Sequence, residues 1–321
     1  MTTLEKLKEL KNILRNITTP IYLAGHVNPD HDSIGSCLAM GRLLEKMGKE
    51  VYVLLESKNQ DLLEVHDNSH LVINNVDNIT SPYTLVALDL NETSRLGVYE
   101  SLYSSADFTI NIDHHQGNFT NADFVISDSS VSSTCEIIYN LICKFGREYI
   151  DQPIASTLYA GILTDTSGFS RRISSTTMQI AQWLINKGIN YENIIRNTIS
   201  KRSLYELQAL AYLVSQIKLE DKLHYLVIDK SLPQLSELTH LQITKSISEE
   251  LRKIDSIDTF VIFILESDHI VGKVMSNLTK NANVIAELFG GGGHKGEAGF
   301  IVQHTDYLKL VNEIKQYMKG N

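Results

Sequence analysis

The sequence predicts an α/β fold in two units, a largely parallel sheet through the first half and a smaller α/β unit over the last hundred residues. Three observations carry this. Strand-like and helix-like hydrophobic runs alternate along the first half, the pattern of strand–helix–strand crossovers. The 321 residues suit two domains at roughly 150 residues each, so each unit can bury its own core. Clusters of acids and histidines end the apolar runs, at the carboxyl ends of strands where open α/β sheets bind ligands.

Residues 4 to 17 carry an amphipathic helical pattern, and Ile21-Tyr22-Leu23-Ala24-Gly25 is a short apolar strand. Beyond Ser33, the residues Ile34, Cys37, Leu38, Gly41 and Leu44 recur at helical spacing. Val51 to Leu55, Leu85 to Leu88 and Phe108 to Ile112 read as strands, the last two ending at Asp89 and Asp113. Helices are expected from about Val131 to Gln216, punctuated by Gly146, Asp151-Gln152-Pro153 and Gly188. The first domain is expected over residues 1–190, a helical connector over 191–215 and the second domain over 216–321. In that second domain the expected order is strand (Leu223 to Ile228), helix, strands (Thr259 to Leu265 and Ile270 to Val274), helix, glycine loop, strand (Gly299 to Val302) and helix.

A formal charge of -9 argues against a protein that wraps duplex DNA by neutralising many phosphates, and leaves short oligonucleotides and mononucleotides as anionic substrates. No apolar stretch reaches membrane-spanning length, and the first residues are too charged for a signal-peptide core, so a cytoplasmic protein without a membrane partner is expected. Cys37, Cys135 and Cys143 are scattered, which supports neither a disulfide framework nor a zinc knuckle. The oligomeric expectation extends as far as a homodimer.

Four clusters carry the chemistry: His26-Val27-Asn28-Pro29-Asp30-His31-Asp32, Asp89, Asp113-His114-His115 and Asp165. Hard carboxylates combined with imidazoles are what two adjacent divalent metals need. In an extended segment Asp30 and Asp32 project to one side, with Pro29 holding Asn28 extended. The bland reading is that Asp32 or Ser33 simply caps the next helix. Asp89 is placed to bridge two ions, and adjacent His114 and His115 can serve a metal and a substrate phosphate. Asp165 ends an apolar helical stretch, where an acid is electrostatically poor unless a cation sits there. Farther on, Gly290-Gly291-Gly292-Gly293-His294 offers backbone N–H groups to an anion, whereas a helix C-cap needs only one glycine.

Together, His26-x3-Asp30-x-Asp32-Ser33-x-Gly35-Ser36, Asp89, Asp113-His114-His115, Gly161-x2-Thr164-Asp165-Thr166 and the glycine-rich His294 loop resemble the DHH phosphoesterase family. Their order is most similar to its nanoRNase/pAp-phosphatase branch. The resemblance implies a DHH domain, a DHH-associated domain and an active site in the cleft between them. It also implies manganese as the usual metal, with cobalt, iron or zinc as substitutes. Implied substrates are very short oligoribonucleotides, linear dinucleotides such as pApA, and 3′-phosphoadenosine 5′-phosphate, hydrolysed by in-line attack of a hydroxide shared by two metals.

Residue by residue, the resemblance gives one metal His26, Asp30 and Asp89, and the other Asp32, Asp89, His114 and Asp165. His115 and Asp89 take catalytic roles, with His115 facing the scissile phosphate, and Gly292, Gly293 and His294 grip the substrate. His31 departs from the small or apolar residue usual there. No arginine stands in Gly272-Lys273-Val274-Met275-Ser276, and Glu297 replaces a small residue, leaving Lys273, Lys280 or Lys295 to compensate. The alternatives are a pyrophosphatase- or polyphosphatase-like hydrolase and a non-catalytic nucleotide-binding module.

Overall fold

The computed structural model describes the chain apart from residues 1, 57–64, 67–68, 74–75, 77–78, 116–121, 201–202, 222, 230–231, 233–234, 236–239, 255–256, 277–280, 294, 304–305 and 321. The fold is α/β in two compact units, Met1–Lys201 and Arg202–Asn321, so the stretch 191–215 read as a connector is divided between them.

The first unit begins with α1 (Thr3–Asn16), β1 (Ile21–Ala24), α2 (His31–Lys46), β2 (Val51–Leu54), β3 (Thr84–Leu88) and α3 (Glu100–Ser105). It continues with β4 (Phe108–Asp113), β5 (Phe124–Ser127), α4 (Thr134–Phe145), α5 (Gln152–Asp165), α6 (Ser175–Ile185) and α7 (Tyr191–Ile195). The strands form one parallel sheet in the order β2-β1-β3-β4-β5. Alternate residues of β1 enter different apolar clusters: Ile21 and Leu23 join one, Tyr22 and Ala24 the other. The sheet is therefore covered on both faces, as a parallel sheet must be. Strand order reverses between β1 and β3, which opens a crevice at their carboxyl ends. The edge strand β5 has no counterpart in the sequence reading; it is only four residues long, with one of them buried.

Two helices are brought unusually close behind that crevice. A Cβ on Gly35 of α2 would lie 2.9 Å from both the Cys135 sulfur and the Thr157 carbonyl oxygen, and one on Gly161 of α5 would lie 2.3 Å from the same sulfur. The absence of side chains at both positions lets the start of α2 approach the end of α5, which carries Asp165. Cys37 and Cys135 are buried free thiols, and Cys143 is partly buried.

The second unit comprises α8 (Leu204–Ser215), β6 (Lys218–Glu220), β7 (Leu223–Asp229), α9 (His240–Leu251), β8 (Thr259–Leu265), β9 (His269–Ser276), α10 (Ala282–Glu287), β10 (Gly292–Gly293), β11 (Glu297–Gln303) and α11 (Tyr307–Gly320). Its mixed sheet runs β10-β11-β9-β8-β7-β6, with only β7 and β8 parallel. Among the described residues, no helix is long and apolar enough to cross a membrane.

Candidate metal centre

After β1 the chain passes through His26 to Asn28, whose φ of 51° is left-handed. Pro29 therefore does not hold Asn28 extended; asparagine is among the few residues that tolerate this conformation. The alternation expected for Asp30 and Asp32 is also absent, because α2 begins between them, at His31. Asp30 is the N-cap, and one of its carboxylate oxygens accepts the N–H groups of Asp32 and Ser33 at 3.0 and 3.1 Å. The capping residue is thus neither Asp32 nor Ser33. Because a carboxylate has two oxygens, capping leaves Asp30 a second oxygen for other partners. His31 is buried against His66, with Nδ1 3.0 Å from that ring's Nε2.

Asp89 follows β3 with φ 64°, and its N–H donates to the Ile112 carbonyl of β4. Its two oxygens face different partners. Oδ2 lies 3.6 Å from His26 Nε2, while Oδ1 lies 3.6 Å from His114 Nε2 and 3.7 Å from His115 Nδ1. His26 Nδ1 lies 2.8 Å from the Val27 carbonyl, an acceptor only, so Nδ1 donates there and Nε2 is the ring nitrogen turned toward Asp89. His114 Nε2 also lies 3.3 Å from Asp165 Oδ2 and 3.9 Å from Asp32 Oδ2.

Three donor sets result, each with its atoms within 4.8 Å of one another: His26, Asp30 and Asp89; Asp32, His114 and Asp165; and Asp89, His114 and His115. The structure brings together all six residues expected as metal ligands, plus His115. Two ligand atoms flanking one ion at about 2 Å each lie about 4 Å apart or less. The sets thus fit divalent cations after small side-chain adjustments, since carboxylate oxygens and imidazole nitrogens are both ligands for such ions.

The electrostatics point the same way. Burial, then the charges of Asp89, Asp165 and Asp30, pushes the Asp32 carboxyl well above the usual range. Burial, then Asp30, Asp165 and Asp113, does the same to Asp89. Burial raises Asp165 to about 6, with Arg172 acting against it. Burial, followed by the charges of His115 and Arg172, depresses His114 to about 4, so its imidazole is neutral at pH 7 and can coordinate. The two adjacent histidines differ in exposure, with side-chain values of 3% for His114 and 33% for His115. Asp113 accepts from His115 Nδ1 at 2.7 Å, which fixes that ring's orientation.

Residues 20–162 match the model of the DHH family, N-terminal domain. The chain carries a DHH domain. All of its ligand candidates except Asp165 fall inside that match. Across its length the chain is similar to a bifunctional oligoribonuclease and PAP phosphatase, NrnA, from Thermus thermophilus, with 28% identity covering 97% of this chain and 94% of the relative. Its fold matches an exopolyphosphatase-related protein from Bacteroides fragilis at a TM-score of 0.85, with 22% identity and coverage of 98% and 97%. RecJ from Thermus thermophilus, solved in complex with Mn2+, matches at a TM-score of 0.54 and 14% identity over all of this chain and 55% of RecJ.

Several residues that shape the DHH-domain centre escaped the sequence reading. The N-terminus of α4 points at it: Thr134 N–H donates to Asp32 Oδ2 at 2.7 Å and Cys135 N–H to Oδ1 at 2.8 Å. The Thr134 hydroxyl donates to Asp89 Oδ1 at 3.0 Å. Arg172 donates to both Oδ2 and the carbonyl of Asp165, each at 3.1 Å. The cation that an acid at a helix C-terminus requires is thus supplied in part by the protein itself. Ser-Ser-Thr at the start of α4, and paired arginines six and seven residues beyond Asp165, were the available signals.

In the second unit, packing accounts for two of the four glycines and backbone conformation for a third. Gly290 has φ 73° just beyond α10. A Cβ on Gly291 would lie 2.1 Å from the Gly299 carbonyl oxygen, and one on Gly293 2.5 Å from Ala298 Cα. Gly292 pairs with Gly299 and has open space where a Cβ would point. The stretch is therefore a tight strand pairing, and a single C-cap glycine would not have sufficed. His294 and Lys280 lie outside the described residues. Lys273 Nζ pairs with Glu297 Oε1 at 2.8 Å, Arg252 takes the other oxygen, and Lys295 is exposed.

Proposed function

We propose that this protein is a manganese-dependent phosphoesterase that hydrolyses very short oligoribonucleotides or linear dinucleotides to mononucleotides, 3′-phosphoadenosine 5′-phosphate to AMP, or both. The observation that carries the reading is the position of Asp89, with one carboxylate oxygen toward His26 and the other toward His114 and His115. A carboxylate shared in this way suits a two-ion centre. The full-length similarity to a protein named as an oligoribonuclease and PAP phosphatase supports the substrate class, and the Mn2+ bound to RecJ supports the metal.

In this reading His26, Asp30 and Asp89 hold one ion and Asp32, Asp89, His114 and Asp165 the other. When bound, the pair supplies an activated water nucleophile and neutralises phosphate charge. Asp32 is oriented by the two amides of α4, and Asp89 by Thr134. In the same reading His115, one-third exposed and oriented by Asp113, faces the reacting phosphate. The formal charge of -9 suits a substrate of few phosphates.

The test is a substrate panel with and without manganese: a diribonucleotide, 3′-phosphoadenosine 5′-phosphate and pyrophosphate. Mononucleotide or AMP release that requires manganese supports the reading. Pyrophosphate cleavage alone would move the protein to the pyrophosphatase class, and tight binding without turnover would make it a nucleotide-binding module.

A further inference from the structure

We propose that Arg172 is a displaceable counter-ion of the metal centre, which leaves Asp165 when a divalent cation arrives and then binds a phosphate oxygen of the substrate. The first half stands on geometry alone; the second rests on the phosphoesterase reading. Arg172 Nη2 donates to Oδ2 of Asp165 at 3.1 Å, and that same oxygen lies 3.3 Å from His114 Nε2. The guanidinium therefore sits on the oxygen that faces the cluster. A cation coordinated by Asp165 competes for that atom, and two like charges at one carboxylate oxygen repel, so the doubly charged ion displaces the singly charged group.

The backbone around Arg172 is held by its own turn, while its half-exposed side chain is held by Asp165, through Oδ2 and the carbonyl oxygen. Phe169 N–H donates to the Thr166 hydroxyl, and the Ser170 and Arg171 N–H groups to the Thr166 carbonyl, at 3.0 to 3.1 Å. Ser167, Phe169 and Arg172 all hold left-handed φ, at 49°, 61° and 51°. Three non-glycine residues in that region make an over-determined turn, of the kind that persists at ligand clamps and switch segments. It ends in an arginine whose side chain is 49% exposed. A guanidinium released there remains within a side chain's reach of the centre, and its planar fork matches phosphate.

The experiment uses the full chain and Arg172→Gln, with two binding readouts besides activity. Calorimetric titration of metal-free protein with Mn2+ should show about 3- to 10-fold tighter binding in R172Q, because a competitor for Asp165 is gone. Binding of adenosine 5′-monophosphate to the manganese-loaded protein should weaken by about 10-fold or more. The KM for diribonucleotide should rise in parallel, with kcat changed less. Arg172→Lys, which keeps charge without the fork, should fall between. Weaker manganese binding in R172Q would mean that Arg172 braces Asp165, and would overturn the counter-ion role. Unchanged nucleotide affinity would overturn the phosphate contact. Failure of diribonucleotide as a substrate would count against the phosphoesterase reading while leaving both binding readouts intact.

Discussion

The Thr134 hydroxyl donates to Oδ1 of Asp89 at 3.0 Å, from the first residue of a helix whose next two backbone amides end on Asp32 or its own turn. One short segment thus orients two buried acids, Asp32 in the first turn of α2 and Asp89 just after β3. Thr134→Ala should reduce manganese affinity or kcat by about 10- to 100-fold, the usual effect of removing an outer partner of a metal ligand. Thr134→Ser should restore most of it. Manganese titration of both variants checks this, and wild-type behaviour of the alanine variant would remove Thr134 from the centre.

Asp89→Ala should abolish manganese-dependent turnover while preserving the circular dichroism of the metal-free protein. Asp89→Asn should be equally inactive yet melt a few degrees higher than wild type without metal. It deletes one charge from a set of mutually repelling acids, and asparagine accepts the φ of 64° well. Substantial residual activity in either variant would reject the shared-ligand role.

Metal affinity should depend on pH through Asp165. Its carboxyl sits at about 6 in the folded chain against 3.8 ordinarily, so folding favours its protonated form. That contribution to stability is complete below about pH 4 and disappears as pH rises through 6. His114, depressed to about 4, works in the opposite sense, with stability lost as pH falls, so the melting temperature of metal-free protein mixes the two. Manganese affinity separates them: His114 is already neutral above pH 5, and Asp165 must lose its proton. Affinity should rise by about tenfold or more between pH 5 and 7, the raised carboxyls of Asp32 and Asp89 adding to the effect of Asp165, and Asp165→Asn should reduce that rise. A wild-type profile flat over this range would contradict the assignment.

The glycine hairpin allows packing and binding to be separated. Gly291→Ala forces a Cβ onto the Gly299 carbonyl and should destabilise the protein by about 1–3 kcal/mol. Gly292→Ala meets open space, so its melting temperature should stay near wild type. If the Gly292 backbone lies against substrate, as the sequence suggests, KM for a dinucleotide should rise nonetheless. Thermal melts and steady-state kinetics of the two variants check both statements.

Much of this was legible in the sequence because strand order turns spacing into place. Apolar runs ending in Asp89 and Asp113 had to deliver those acids to one end of a parallel sheet, and His26 followed β1 for the same reason. The local backbone was less legible. Asn28 and Asp89 adopt left-handed conformations that pattern does not announce, and Asp30 takes the cap that spacing alone assigned to Asp32 or Ser33. Partners remote in sequence were invisible: Thr134 meets Asp89 across 45 positions, and nothing in the arginine pair revealed that Arg172 folds back onto Asp165. The packing role of the glycine run was not legible, because close approach of Gly291 and Gly293 to β11 is a property of strand pairing, which sequence records only as small residues.

The central claim is that Asp89 lies between two ions held by residues from both sides of the sheet's switch point. Anomalous diffraction at the manganese edge from crystals grown with Mn2+ tests it most directly. The account predicts two peaks, one against His26 and Asp30 and one against Asp32, His114 and Asp165, each within about 2–2.5 Å of an Asp89 oxygen. A single peak, or two peaks of which one lies away from Asp89, would contradict it.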